Sequence, residues 1–209
     1  MNIFQTDDLI LAADASVDAL SPHLDADWGV PAGDLDWSCR RTLGHIVDAL
    51  VFYTDHLATR AAERRPFKRD VGPEMPIEEL LNFARSQASV LARVCDASPD
   101  VRAYHAAGLS DATGFVAMGC DEILVHTNDV CTGLGFAFSP NPDLTARVVA
   151  RLFPWAPDHP DPWERLLWCN GRIALPDRER LTEDWWWWSR PLDEWDGTAY
   201  TRTQPPAWT

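Results

Sequence analysis

Apolar residues recur three and four positions apart through the first two thirds of the chain, and no convincing stretch alternates with a period of two. That pattern predicts helices. Thr6-Asp7-Asp8 reads as a cap and acidic first turn for a helix running to about Leu24, after which Gly29, Pro31 and Gly33 mark a loop. Ser38 caps a second helix whose apolar face carries Leu43, Ile46, Val47, Leu50, Tyr53, Thr54 and Leu57. The charges of Glu63-Arg64-Arg65, followed by Pro66, end it. Pro76 opens a third helix with Glu78 and Glu79 in its first turn, and that helix stops before Pro99. Ser110-Asp111 caps a fourth from about Ala112 to Leu134. Four amphipathic helices over residues 5–136 predict an all-α protein, a four-helix bundle.

Beyond Pro140 the texture changes. Helices are expected from Asp143 to Phe153 and from Pro162 to about Leu175, followed by an irregular tail rich in tryptophan and proline. One domain over 1–209, with residues 140–209 as an extension of the bundle, accounts for the length. The run Trp185-Trp186-Trp187-Trp188 suits packing across the bundle, an aromatic wall at a pocket, or a subunit contact in a homodimer.

Composition narrows the function classes. A chain this long buries a sizeable core unaided, so a metal would serve function rather than folding. Eighteen basic residues against thirty-two acidic ones give a net charge of -14, which repels phosphate backbones and anionic lipid. No nucleic-acid or membrane partner is expected. The start of the chain has no basic region followed by an apolar one, and no stretch approaches the ~20 apolar residues of a membrane span. The expected location is the cytoplasm. Cys39, Cys95, Cys120, Cys131 and Cys169 form no C-x-x-C pair and read as small buried hydrophobes.

The candidate chemistry lies on the second and fourth helices. Glu122 and His126 stand four apart, so both project from one helix face about 6 Å apart at Cβ, close enough to grip one ion. His45 sits among Leu43-Gly44 and Ile46-Val47, where few polar residues belong, and supplies a third ligand if the two helices adjoin. His56 lies eleven residues beyond His45, roughly 16 Å away, too far to share an ion. His23, His105 and His159 fall at helix ends or in loops and are expected to be solvated. Asp48 and Asp129 each follow a candidate ligand by three residues and could hold its second ring nitrogen. Arg172 is a candidate contact for a substrate carboxylate.

The stretch Trp37-Ser38-Cys39-Arg40-Arg41-Thr42-Leu43-Gly44-His45 resembles the W-[ST]-x-x-x-x-L-x-H opening of the second helix in DinB/YfiT-like proteins. Gly114 to Asp129, with Glu122 four residues before His126, resembles the later metal-binding helix of one branch. That branch is the mycothiol-dependent maleylpyruvate isomerase N-terminal domain group. The resemblance covers roughly residues 5–175. It implies a bundle with the second and fourth helices adjacent and a metal, zinc or non-haem iron, held by His45, Glu122 and His126. It also implies thiol transferase or isomerase chemistry, with mycothiol or a similar small thiol and a small electrophile as partners. Maleylpyruvate isomerases of that group carry a second, sterol-carrier-like domain that contributes to catalysis. The tail after residue 175 does not resemble it, so that particular reaction is not expected. The alternatives are a non-catalytic metal- or ligand-binding bundle, or another metal-assisted lyase or cyclase on the same scaffold.

Overall fold

The computed structural model describes residues 4–66, 74–182 and 186–199, and everything below concerns these. α1 (Asp7–Leu20) starts where expected, but it gives way to a 3-10 turn at Ser21–His23 before Leu24. Asp8 does more than decorate the first turn. It is buried, and it pairs with Arg147 at 2.5 Å.

α2 (Cys39–Ala58) is capped as the sequence predicts: the Ser38 hydroxyl accepts the Arg41 N–H at 3.2 Å. It ends earlier than the charged run at 63–65 suggested. Arg60 adopts φ of +53° and the Ala61 N–H turns back to the His56 carbonyl, so the helix is closed by its own backbone before Pro66 is reached.

α3 (Ile77–Asp96) follows Pro76, and α4 (Ala112–Gly133) begins with the Asp111 carboxylate accepting the Gly114 N–H at 2.9 Å. α4 is buried on nearly every side rather than along one stripe, because α1, α2, α3 and α5 all pack against it. α1 and α2 each also contact α3, so the four helices share one core.

α5 (Pro142–Leu152) and α6 (Pro162–Cys169) are capped by Asn141 and Asp161 and pack on each other, with α5 leaning on α4. α6 stops short of Leu175, because Gly171 takes φ of +64° and turns the chain. Among the described residues the architecture is all-α: six α-helices, two short 3-10 turns and no β-strand beyond isolated bridges. No described helix is long and apolar enough to cross a membrane.

Residues 188 and 189 of the tail are pinned to the bundle. Buried Arg151 on α5 donates to Asp111 at 2.5 Å and to the Trp188 carbonyl at 3.1 Å. Ser110 donates to the Ser189 carbonyl at 2.7 Å, and the Trp188 N–H donates to the Leu152 carbonyl at 2.8 Å. Trp186, Trp187 and Trp188 are buried as a result; Trp185 lies outside the described residues.

Candidate metal centre

The packing of α2 on α4 brings His45 to Glu122 and His126, and one ligand atom from each lies within 4.8 Å of the others. His45 Nε2 and His126 Nε2 are each 3.3 Å from the same oxygen, Glu122 Oε2. Ligand atoms around a tetrahedral zinc, with bonds of about 2.0–2.2 Å, stand about 3.3–3.6 Å apart, so these spacings fit one. The two imidazole rings meet edge to face, with centroids 5.0 Å apart.

Two of the three candidate ligands are held through their remaining polar atom by another group. Tyr53 donates its hydroxyl to Glu122 Oε1 at 2.9 Å, which fixes the carboxylate and leaves Oε2 toward the histidines. His126 donates Nδ1–H to Asp129 Oδ2 at 2.9 Å, which fixes the ring and turns Nε2 to the site. Arg172 in turn grips Asp129, Nε to Oδ1 and Nη2 to Oδ2, both at 2.8 Å. This Arg172–Asp129–His126 relay is what an oriented ligand requires.

Electrostatics favour positive charge here. Burial alone would raise the Glu122 carboxyl, but the His45 imidazole and hydrogen bonds from both histidines outweigh it and hold it well below the carboxylate range. Burial opposes charge on His126, yet hydrogen bonds to Asp129 and Glu122 prevail and lift it to about 9. Asp129 is likewise lowered, its bonds to His126 and Arg172 overcoming burial. A divalent ion bound at His126 Nε2 would take the place of the proton that this raised imidazole holds.

The three side chains open into a cavity of about 330 Å³. The loop before α2 forms one part of its lining, through Leu35, Asp36 and Trp37. This loop is docked closely on the end of α4: a Cβ at Gly133 would stand 2.2 Å from the Pro31 carbonyl oxygen and 2.7 Å from Cys39 Sγ. Trp37 thereby reaches His45, its ring centroid 5.0 Å away.

No family model, curated protein or solved structure matches this chain.

The other candidates divide. Asp129 meets a histidine as the spacing suggested, and Asp48 is buried on α2. Arg172 lines the cavity, but its guanidinium faces Asp129 and the Asn170 carbonyl. His56 is buried and structural, with Nδ1 donating to the Phe52 carbonyl and Nε2 accepting the Arg65 N–H. His105 is not solvated: it is 2 % exposed, packed beside Tyr53 and Trp187, and burial lowers it to about 4. The other two differ again, His23 stacking on Phe136 and His159 half-buried. All five cysteines are buried, and burial pushes Cys95 and Cys131 up to about 12.

Sequence reasoning missed Tyr53, Asp121 and Asn170, whereas Trp186 and Trp187 do line the cavity, one of the roles the sequence left open for that run. Asp121 accepts from Asn170 Nδ2 at 2.8 Å and from Trp187 Nε1 at 3.0 Å, tying the tail to the residue beside Glu122. Burial raises its carboxyl to about 7. A second carboxylate adjoining Glu122 was a visible signal; its partners, 49 and 66 positions away, were not.

Proposed function

We propose that this chain is a DinB/YfiT-like protein that binds one divalent cation, zinc or a similar ion, through His45, Glu122 and His126. In this reading it uses the site to join a small thiol of the mycothiol type to a small electrophile, as a transferase or isomerase. The observation that carries the reading is the convergence of two imidazole nitrogens on one carboxylate oxygen at 3.3 Å, at the wall of a cavity. Two nitrogens and one oxygen are the ligand count of a catalytic zinc that keeps a position open. Such a cation supplies a Lewis-acidic position that lowers the pKa of an incoming thiol.

The chain's own groups do the rest. Tyr53 and Asp129 orient two of the ligands, and the tryptophan walls keep water from the reacting atoms. The sulfur comes from outside, because burial holds the thiols of Cys95, Cys120, Cys131 and Cys169 protonated. With a quinone, one S–C bond forms, the ring π pair moves to the carbonyl oxygen, and the thiol proton ends there. No further reactant is consumed.

Two measurements test this. Purified protein should take up one zinc or cobalt ion per chain, and His45→Ala combined with His126→Ala should abolish uptake. Thiol titrated into the cobalt form should raise a sulfur-to-metal charge-transfer band. Stoichiometric metal with no thiol response would remove the transferase reading and leave a binding protein; no metal uptake would remove both.

A further inference from the structure

The thiol reading leaves the electrophile undefined, and the cavity lining narrows it. Leu35, Trp37, Val125, Trp186 and Trp187 give the cavity five apolar or aromatic surfaces. Three of these are indole rings, which offer flat faces to a flat ligand. Among the lining residues Arg172 carries the only lysine or arginine charge, and that charge is already engaged. Nε and Nη2 hold both oxygens of Asp129, and Nη1 donates to the Asn170 carbonyl at 2.8 Å. A substrate carboxylate seeking the same two-pronged contact would have to displace Asp129 and loosen His126. Arg41 lies 4.7 Å over the Trp37 ring but is not among the cavity-lining residues.

The acids of the lining point the same way. Asp36 is exposed at the rim, Asp121 is buried under Trp187 and Asn170, and Glu122 is a ligand candidate. A carboxylate entering the cavity meets the like charge of Asp36 at the rim, and the one guanidinium of the lining is already engaged by Asp129. An ammonium group gains little inside, since both oxygens of Asp121 already accept hydrogen bonds.

Resting on the thiol reading above, we infer that the electrophile is an uncharged, flat, ring-bearing molecule, of the quinone or aryl-epoxide kind, and that the pocket discriminates against carboxylates. The ring lies against the indole faces, and its reactive carbon is presented toward Glu122 Oε2 and the two histidines. Dicarboxylates of the maleyl type are poor fits to such a lining.

The experiment compares one unreactive ring in three charge states: 2-naphthylmethanol, 2-naphthoate and 2-naphthylmethylammonium, titrated calorimetrically into metal-free protein, so that only the lining distinguishes them. The alcohol should bind at least about tenfold more tightly than either ion. Leu35→Arg, in a loop and half-buried, adds a cation to the lining and should narrow the gap between alcohol and naphthoate. Naphthoate or the ammonium binding as tightly as the alcohol overturns the inference, and so does a Leu35→Arg protein with the gap unchanged. The cobalt–thiol band is independent of these ligands. A protein lacking the band but keeping this order fails the thiol reading alone; one with the band and the reverse order fails this inference alone.

Discussion

At Glu122 two oxygens have separate tasks, one taken by the Tyr53 hydroxyl and one shared between two imidazoles. Tyr53→Phe leaves Oε1 buried without its donor, and Asp129→Asn replaces the carboxylate that holds His126 Nδ1–H and Arg172 by a neutral amide with one acceptor oxygen. Each should weaken zinc binding by about 10–100-fold while the helices stay intact, as read by competition with a chelator. Arg172→Met should weaken it less, because Arg172 acts one step further out. A residue of another kind governs acid stability. His105 is neutral in the fold with its pKa lowered to about 4, whereas the unfolded chain takes up the proton near 6.5. Its contribution is therefore complete above 6.5 and is lost as the pH falls from there toward 4, by about 3 kcal/mol. Urea midpoints across that range should drop steeply, and His105→Gln should flatten the slope.

Among the elements, the end of α4 and the loop at Pro31 approach closely. Any Cβ at Gly133 meets backbone, which cannot swing aside, so Gly133→Ala should cost about 1–3 kcal/mol in chemical denaturation. The displaced loop should carry Trp37 with it and weaken ligand binding as well. Starts of helices were legible because their signals are local: Ser38 and Asp111 cap where they were expected to. Ends were less so. α2 closes at a left-handed Arg60 that no residue type announces, and α6 closes at Gly171 inside a stretch whose apolar spacing continued. The Glu122–His126 pair was readable from one helical turn, and His45 from being out of place on an apolar face. Tyr53 and Asp121 were not readable, nor was the bond from Trp187 to Asp121, because these partners are set by tertiary packing.

On the scale of the whole molecule, α1–α4 share a hydrophobic core that does not depend on the three candidate ligands, buried Glu122 and half-buried His45 and His126. Chelation should therefore leave the helical circular dichroism intact. Melting should fall only by the mass-action term, about 2.7 kcal/mol where zinc had stood a hundredfold above its dissociation constant. Collapse of the helices on chelation would mean the ion is structural. The tail has a different standing. Trp186 and Trp187 come from a segment fastened through Arg151, Ser110 and Asp121, whereas all three candidate ligands come from α2 and α4. In evolutionary terms the two halves of the site can drift separately. Substitutions in residues 186–189 can reshape what the cavity admits without touching the ligand set, and one inherited metal grip can serve descendants with quite different substrates.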